Sequence, residues 1–193
     1  MQTLWQYRET LNHILNSCPV SLEQGRLTWR HNCILIHILK QVKAKLSSAT
    51  VYSNIQGHST CGGTIPPNIL VTKLKPDMCV LHEDGVRIDL VELMVPFETN
   101  IDKAHSRKQS KYADLVEDIN QKGYNCQLYC VEVGSRGLIT TENEKRLSSI
   151  FQASRKEVRT LKKELSNLAL VSSYTIWNAR HCAVWKHSSH ISC

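Results

Sequence analysis

Apolar side chains return every three or four residues in "RHNCILIHILKQVKAKL", with Ile34, Leu35, Ile38, Leu39, Val42 and Leu46 on one side and Lys40, Lys43 and Lys45 on the other. This predicts an amphipathic helix beginning near Trp29. Upstream, "RETLNHILNSC" reads as a short helix and "CPVSLEQG" as a loop broken by Pro19 and Gly25. Beyond the amphipathic helix, "ATVYSNI", "DMCVLHE" and "VRIDLVELMV" have strand character, and "GHSTCGGTIPPNIL" is a loop. The last two strands meet at Glu83, Asp84 and Gly85, a favoured hairpin turn. "NIDKAHSRKQSKYADLVEDINQKG" predicts a helix capped near Gly123, and "NCQLYCVEVGSRGLI" a buried strand that leaves through Gly134 and Gly137. A capped helix starts at Thr140 or Thr141. A long basic one follows from about Arg155 to about Trp177, with Val158, Leu161, Leu165, Leu168 and Val171 on one face and Arg159, Lys162 and Lys163 elsewhere. Helix, strand, hairpin, helix, strand is an α/β order.

No stretch approaches the roughly 18 to 20 apolar residues of a membrane span, and the N-terminus lacks the layout of a secretory signal. An intracellular, soluble protein is therefore expected, with its eight cysteines mostly reduced and Cys33, Cys79, Cys126 and Cys130 acting as small hydrophobes. The net charge of +7 points to an acidic partner: nucleic acid first, an anionic membrane surface second.

Three carboxylates interrupt the apolar hairpin. Alternation along the second strand puts Ile88, Leu90, Glu92 and Met94 on one face and Asp89, Val91 and Leu93 on the other. Asp77, just after Pro76, starts the preceding strand, and the hairpin brings it beside Glu92. Asp77 and Glu92 are thus the favoured pair, and Asp89 is read as solvent-facing or salt-bridged, with a lesser claim to replace Glu92 as ligand. Two converging carboxylates suit Mg²⁺, with Mn²⁺ as a substitute, because such ions take oxygen ligands and keep several waters. A divalent ion there can polarise a phosphodiester and activate a water. Lys108 and Lys111, three residues apart, would supply fixed positive charge at the strand ends if Tyr112 and Leu115 pack inward.

Pro76-Asp77, then Glu92, then a lysine resembles the signature of the PD-(D/E)xK nuclease superfamily, although Met94 stands where the lysine is expected. "RHNCILIHIL", "KPD", "PFETN", "AHSRKQSKY" and "GSRGL" together are similar to the restriction-like endonuclease at the C-terminal end of site-specific retrotransposon polyproteins that lack long terminal repeats. The resemblance covers residues 9–152. It implies a restriction-endonuclease-like core, a mixed β-sheet flanked by helices, over residues 25–152, followed by a C-terminal basic helix and tail over 153–193. It gives Lys108 and Lys111 the catalytic role of the displaced lysine, and it implies that Arg30, His31 and Arg107 contact nucleic acid. Residues 1–24 resemble the second half of a zinc knuckle, keeping His13 and Cys18 but having no earlier cysteine, so a four-ligand site cannot form from this segment. The implied activity is Mg²⁺-dependent nicking of a target DNA strand in the nucleus, to prime a reverse transcriptase that belonged to the ancestral polyprotein. The alternative is an inactive, domesticated nuclease fold that binds DNA or RNA or serves as a scaffold.

Overall fold

The structure is a computed structural model that describes residues 10–60 and 63–185. Residues 1–9 of the finger-like segment and 186–193 of the tail lie outside the described residues. After one π-helical turn at His13–Ser17 come α1 (Pro19–Glu23), α2 (Arg26–Lys45), β1 (Thr50–Ser53), β2 (Met78–Leu81), β3 (Arg87–Met94), α3 (Ile101–Gln121), β4 (Asn125–Glu132), α4 (Thr141–Phe151) and α5 (Arg155–Asn178). The strands form one mixed sheet in the order β1-β2-β3-β4. β1, β2 and β3 pair antiparallel, whereas β3 and β4 run parallel because the long α3 carries the chain back across the sheet.

The helices form layers on both faces. Ile88 and Leu90 of β3 join Cys79, Cys126, Tyr112, Leu115 and Ile119 in the core beneath α3. Val91 and Leu93 face the other way, into a larger core with Ile34, Leu35, Ile38, Leu147, Leu161 and Leu165 from α2, α4 and α5. The strand alternation expected for β3 is therefore present, with both faces buried. Cys33, Cys79, Cys126 and Cys130 are buried, as apolar surroundings require.

Three features differ from the sequence pattern. "CPVSLEQG" is not a loop, since Pro19 opens the short α1, where its fixed φ suits the first helical turn. α2 begins at Arg26 rather than near Trp29. Arg26 is fully buried and donates to Ala179 O (2.7 Å) and Cys182 O (3.0 Å), so a charge that breaks the apolar pattern is satisfied by carbonyls at the end of α5. On α5 the buried stripe runs Val158, Leu161, Leu165, Ala169, Ser172 and Ile176, and Val171 is exposed. Small residues continue the 3.6-residue period where a larger apolar one stands beside it.

β4 is an edge strand, and α4 covers it. Asn143 Oδ1 accepts the Glu132 amide (3.2 Å), and Arg146 donates to the Cys130 carbonyl (3.2 Å), which satisfies backbone groups that would otherwise invite another strand. The turn after β4 presses on α5. Gly137 has φ +91, and a Cβ there would stand 2.8 Å from Ser166 O. Gly137→Ala should therefore lower the unfolding free energy by about 2–3 kcal/mol, and Gly85→Ala, also left-handed but with nothing within 4 Å of the added carbon, by about 1 kcal/mol. Urea denaturation of the two variants checks the difference, and equal losses would refute the close packing as its cause.

Candidate functional site

Pro76 has no N–H to offer, and β2 starts only at Met78. The Asp77 side chain takes over the ladder: its Oδ2 accepts the Leu93 amide (2.8 Å), while its own amide donates to Glu92 Oε2 (3.3 Å). Ser53 Oγ and the Asn54 amide both donate to the Asp77 carbonyl, which fixes it to the end of β1. Asp77, just ahead of β2, and Glu92 of β3 thus meet at one end of the sheet, both buried.

Two basic side chains close on the pair. His31 of α2 points Nε2 at Asp77 Oδ2 (3.1 Å) and at the Leu93 carbonyl (3.2 Å), and Lys108 of α3 donates to Glu92 Oε1. Burial and the Asp77 charge push the Glu92 carboxyl above the usual glutamate range, against the opposing pull of Lys108. Burial lowers the His31 pKa, but the hydrogen bond and charge of Asp77 prevail and the imidazole is held above its usual value. The cleft in front of these groups measures about 470 Å³, and Asn16, Asn100, Lys103 and Arg107 also line it.

No protein-family model and no curated protein matches this chain. The chemistry of the cleft rests on its own geometry.

Among the described residues, no group of three or more His, Cys, Asp or Glu side chains is arranged to hold a metal ion. The cleft nonetheless fits a hard divalent cation, because Asp77, Glu92 and the Leu93 carbonyl are all oxygen donors and Mg²⁺ commonly uses one or two protein carboxylates. Lys108 already places a positive charge against Glu92, where the buried carboxylates call for one.

The remaining candidates separate. Arg107 lines the cleft. Lys111 contacts Tyr112 and not a carboxylate: it is exposed, donates to the Tyr112 hydroxyl (3.0 Å) and lies 4.6 Å from the Tyr112 ring centroid. Of the two lysines, Lys108 bonds Glu92 directly and Lys111 bonds the buried Tyr112. Arg30 is also corrected. It is 2% exposed and donates to Leu15 O (2.8 Å), Val95 O (3.0 Å) and Ser173 Oγ (3.1 Å), and burial lowers its pKa to about 10. Buried with these partners, Arg30 presents no free face to a phosphate, and it positions the cleft wall through Val95. Asp89 is buried rather than solvent-facing, ion-paired with His82 and Arg87 on the opposite face from Glu92.

Two features escaped the sequence pattern. Lys103 stands four residues before Arg107, so it shares the helix stripe of that candidate and lines the cleft with it, and that spacing was the available signal. Glu132 is 2% exposed and pairs with His105 Nδ1 (2.8 Å) and Arg146 (2.9 Å), anchoring α3 to β4 three residues before Lys108. Nothing local marks it, because its partners come from two distant helices.

The two raised pKa values have one consequence for the metal-free protein. A group whose native pKa is raised stabilises the fold below its unfolded value and loses that contribution as pH rises, from 4.5 upward for Glu92 and from 6.5 upward for His31. Asp77→Asn removes the charge that contributes to both shifts. Unfolding free energies measured in chelator across this range should show the variant gaining on wild type as pH rises. A pH-independent difference would mean that the groups are not coupled.

Proposed function

We propose that the chain is a metal-dependent DNA endonuclease with a restriction-endonuclease-like core, derived from a retrotransposon polyprotein and acting in the nucleus. The observation that carries this reading is the meeting of Asp77, Glu92 and Lys108 at one cleft whose rim holds Lys103 and Arg107. Positive charge on the rim suits a phosphate backbone, and buried acids behind it suit a cation that acts on that backbone.

In this reading Asp77, Glu92 and the Leu93 carbonyl would hold the ion, which would supply an activated water and polarisation of the phosphodiester. His31 holds the Asp77 carboxylate in orientation, in the way outer partners fix metal ligands. Lys108, once Glu92 is otherwise compensated, turns its ammonium to the scissile phosphate and neutralises charge that builds up there. Lys103 and Arg107 hold the strand by its phosphates. Met94, the residue where an in-strand lysine is expected, is 5% exposed and lines the cleft, which leaves the cationic role to α3.

Nicking of supercoiled DNA with Mg²⁺ or Mn²⁺ tests the proposal. Asp77→Ala and Glu92→Ala should abolish metal-dependent nicking while retaining salt-sensitive binding. Lys108→Ala should lower the cleavage rate by about 10²-fold with a much smaller effect on affinity. Lys111→Ala should leave the rate near wild type, and Met94→Lys should not raise it. A wild-type chain that binds duplex DNA but leaves it uncut with either metal would sink the enzyme reading in favour of an inactive nucleic-acid-binding fold.

A further inference from the structure

A second cationic surface lies outside the cleft. The loop after β4 and the side of α5 enclose a groove of about 650 Å³ lined by Arg136, Arg159, Lys162 and Lys163, with Asn167 and Leu170 beyond them. Arg155 belongs to the adjoining hollow, which shares Arg159 with the groove. Arg155, Arg159 and Lys163 follow one another at four-residue steps, so they form a single stripe with about 6 Å of helix rise between neighbours, a separation of the order of that between adjacent phosphates on a strand.

Charge pairing separates these side chains. Arg136 is bound by Glu98, Lys162 by Glu144 and Lys145 by Glu142. Arg155, Arg159 and Lys163 are exposed and form no ion pair with a carboxylate among the described residues. Like charges at this spacing repel one another, so the stripe carries a cost that an anionic partner removes.

The groove is fixed relative to the cleft. Ser173 Oγ of α5 donates to Ser135 O (2.5 Å), and the Ser135 amide donates to Pro96 O (2.8 Å), a residue of the cleft wall. Arg136 then spans the gap, since its Nε donates to Glu98 Oε2 (2.7 Å) and its guanidinium lies 4.8 Å from the Phe97 ring centroid. Cleft and groove are thus joined through one short, hydrogen-bonded loop.

We propose that this groove is a second phosphate-backbone surface, holding the flank of a nucleic acid duplex whose scissile part lies in the carboxylate cleft. The inference rests on the reading of the cleft as a nucleic-acid site, and it assigns Arg159 and Lys163 to contacts made away from the chemistry. Their role is affinity and placement, because neither approaches Asp77 or Glu92.

Fluorescence anisotropy of a labelled duplex against salt concentration, in chelator so that no cutting occurs, tests it on the full chain. Arg159→Gln with Lys163→Gln should weaken binding about tenfold near physiological salt and reduce the log-log salt slope by about 2, one contact for each charge lost. Lys103→Gln with Arg107→Gln serves as the comparison at the cleft. Weakened binding in the cleft variant, with the groove variant within about twofold of wild type at an unchanged slope, would overturn the groove and leave the proposed function standing. A wild-type chain that binds no duplex would overturn both. If the groove variant loses binding to phosphatidylserine vesicles while its DNA affinity is unchanged, the partner is a lipid surface and the proposal is wrong.

Discussion

The reciprocal bond between Asp77 and the end of β3 is the constraint on which the site depends. Pro76 ends the backbone ladder between β2 and β3, and without a substitute the Leu93 amide would be a buried donor without a partner, a loss on the order of 1–3 kcal/mol. Asp77 supplies that substitute with a carboxylate, and its own amide binds Glu92. A negative charge is thereby built into the sheet beside a second one. A neutral acceptor would satisfy the same amide, so the ladder alone does not explain why the residue is an acid. The second carboxylate, directed into the same cleft, supplies the functional part of the explanation.

Placing two acids together makes every neighbouring cation consequential. Burial, and after it the Asp77 charge, raises the Glu92 pKa even with Lys108 in contact. His31 bonds the Asp77 carboxylate, while the buried Arg30 uses its hydrogen bonds on backbone and hydroxyl oxygens instead. Two successive residues of one helix thus divide the work: Arg30 sets the position of the wall at Val95, and His31 addresses the charge in front of it. The helix before the sheet is therefore as much a part of the site as the strands that carry the acids.

The order of elements, the hairpin and the face of Glu92 were legible in the sequence because each rests on short-range periodicity. Asp77 and Glu92 were legible as a pair because hairpin register and strand parity are local rules. What was not legible depended on contacts between distant segments. Arg30 was read as a nucleic-acid contact, and Arg26 drew no reading, because the carbonyls of α5, Leu15 and Val95 that take up their hydrogen bonds are distant in sequence. Lys108 and Lys111 are equivalent by spacing, and only their partners in the folded chain, Glu92 for Lys108 and Tyr112 for Lys111, separate them. Asp89 was correctly assigned to the face away from Glu92, but its burial with His82 and Arg87 depends on side chains that fold back over the strand.

α5 shows how little of this fold can be set aside as an appendage. Val158, Leu161, Leu165 and Ala169 lie in the same core as Val80, Val91 and Leu93, so the face of the sheet opposite α3 is completed only when the last long helix has docked. The same helix accepts Arg30 at Ser173 and holds the loop after β4 through Ser135, and that loop contacts the cleft wall at Pro96. A displacement of α5 would therefore move the cleft through two separate hydrogen-bonded routes, one through Arg30 to Val95 and one through Ser135 to Pro96. Both routes end on the connection from β3 to α3, the segment that sets how far Lys108 stands from Glu92. Stability of the C-terminal helix and geometry of the acidic pair are in this way one problem for the sequence to solve.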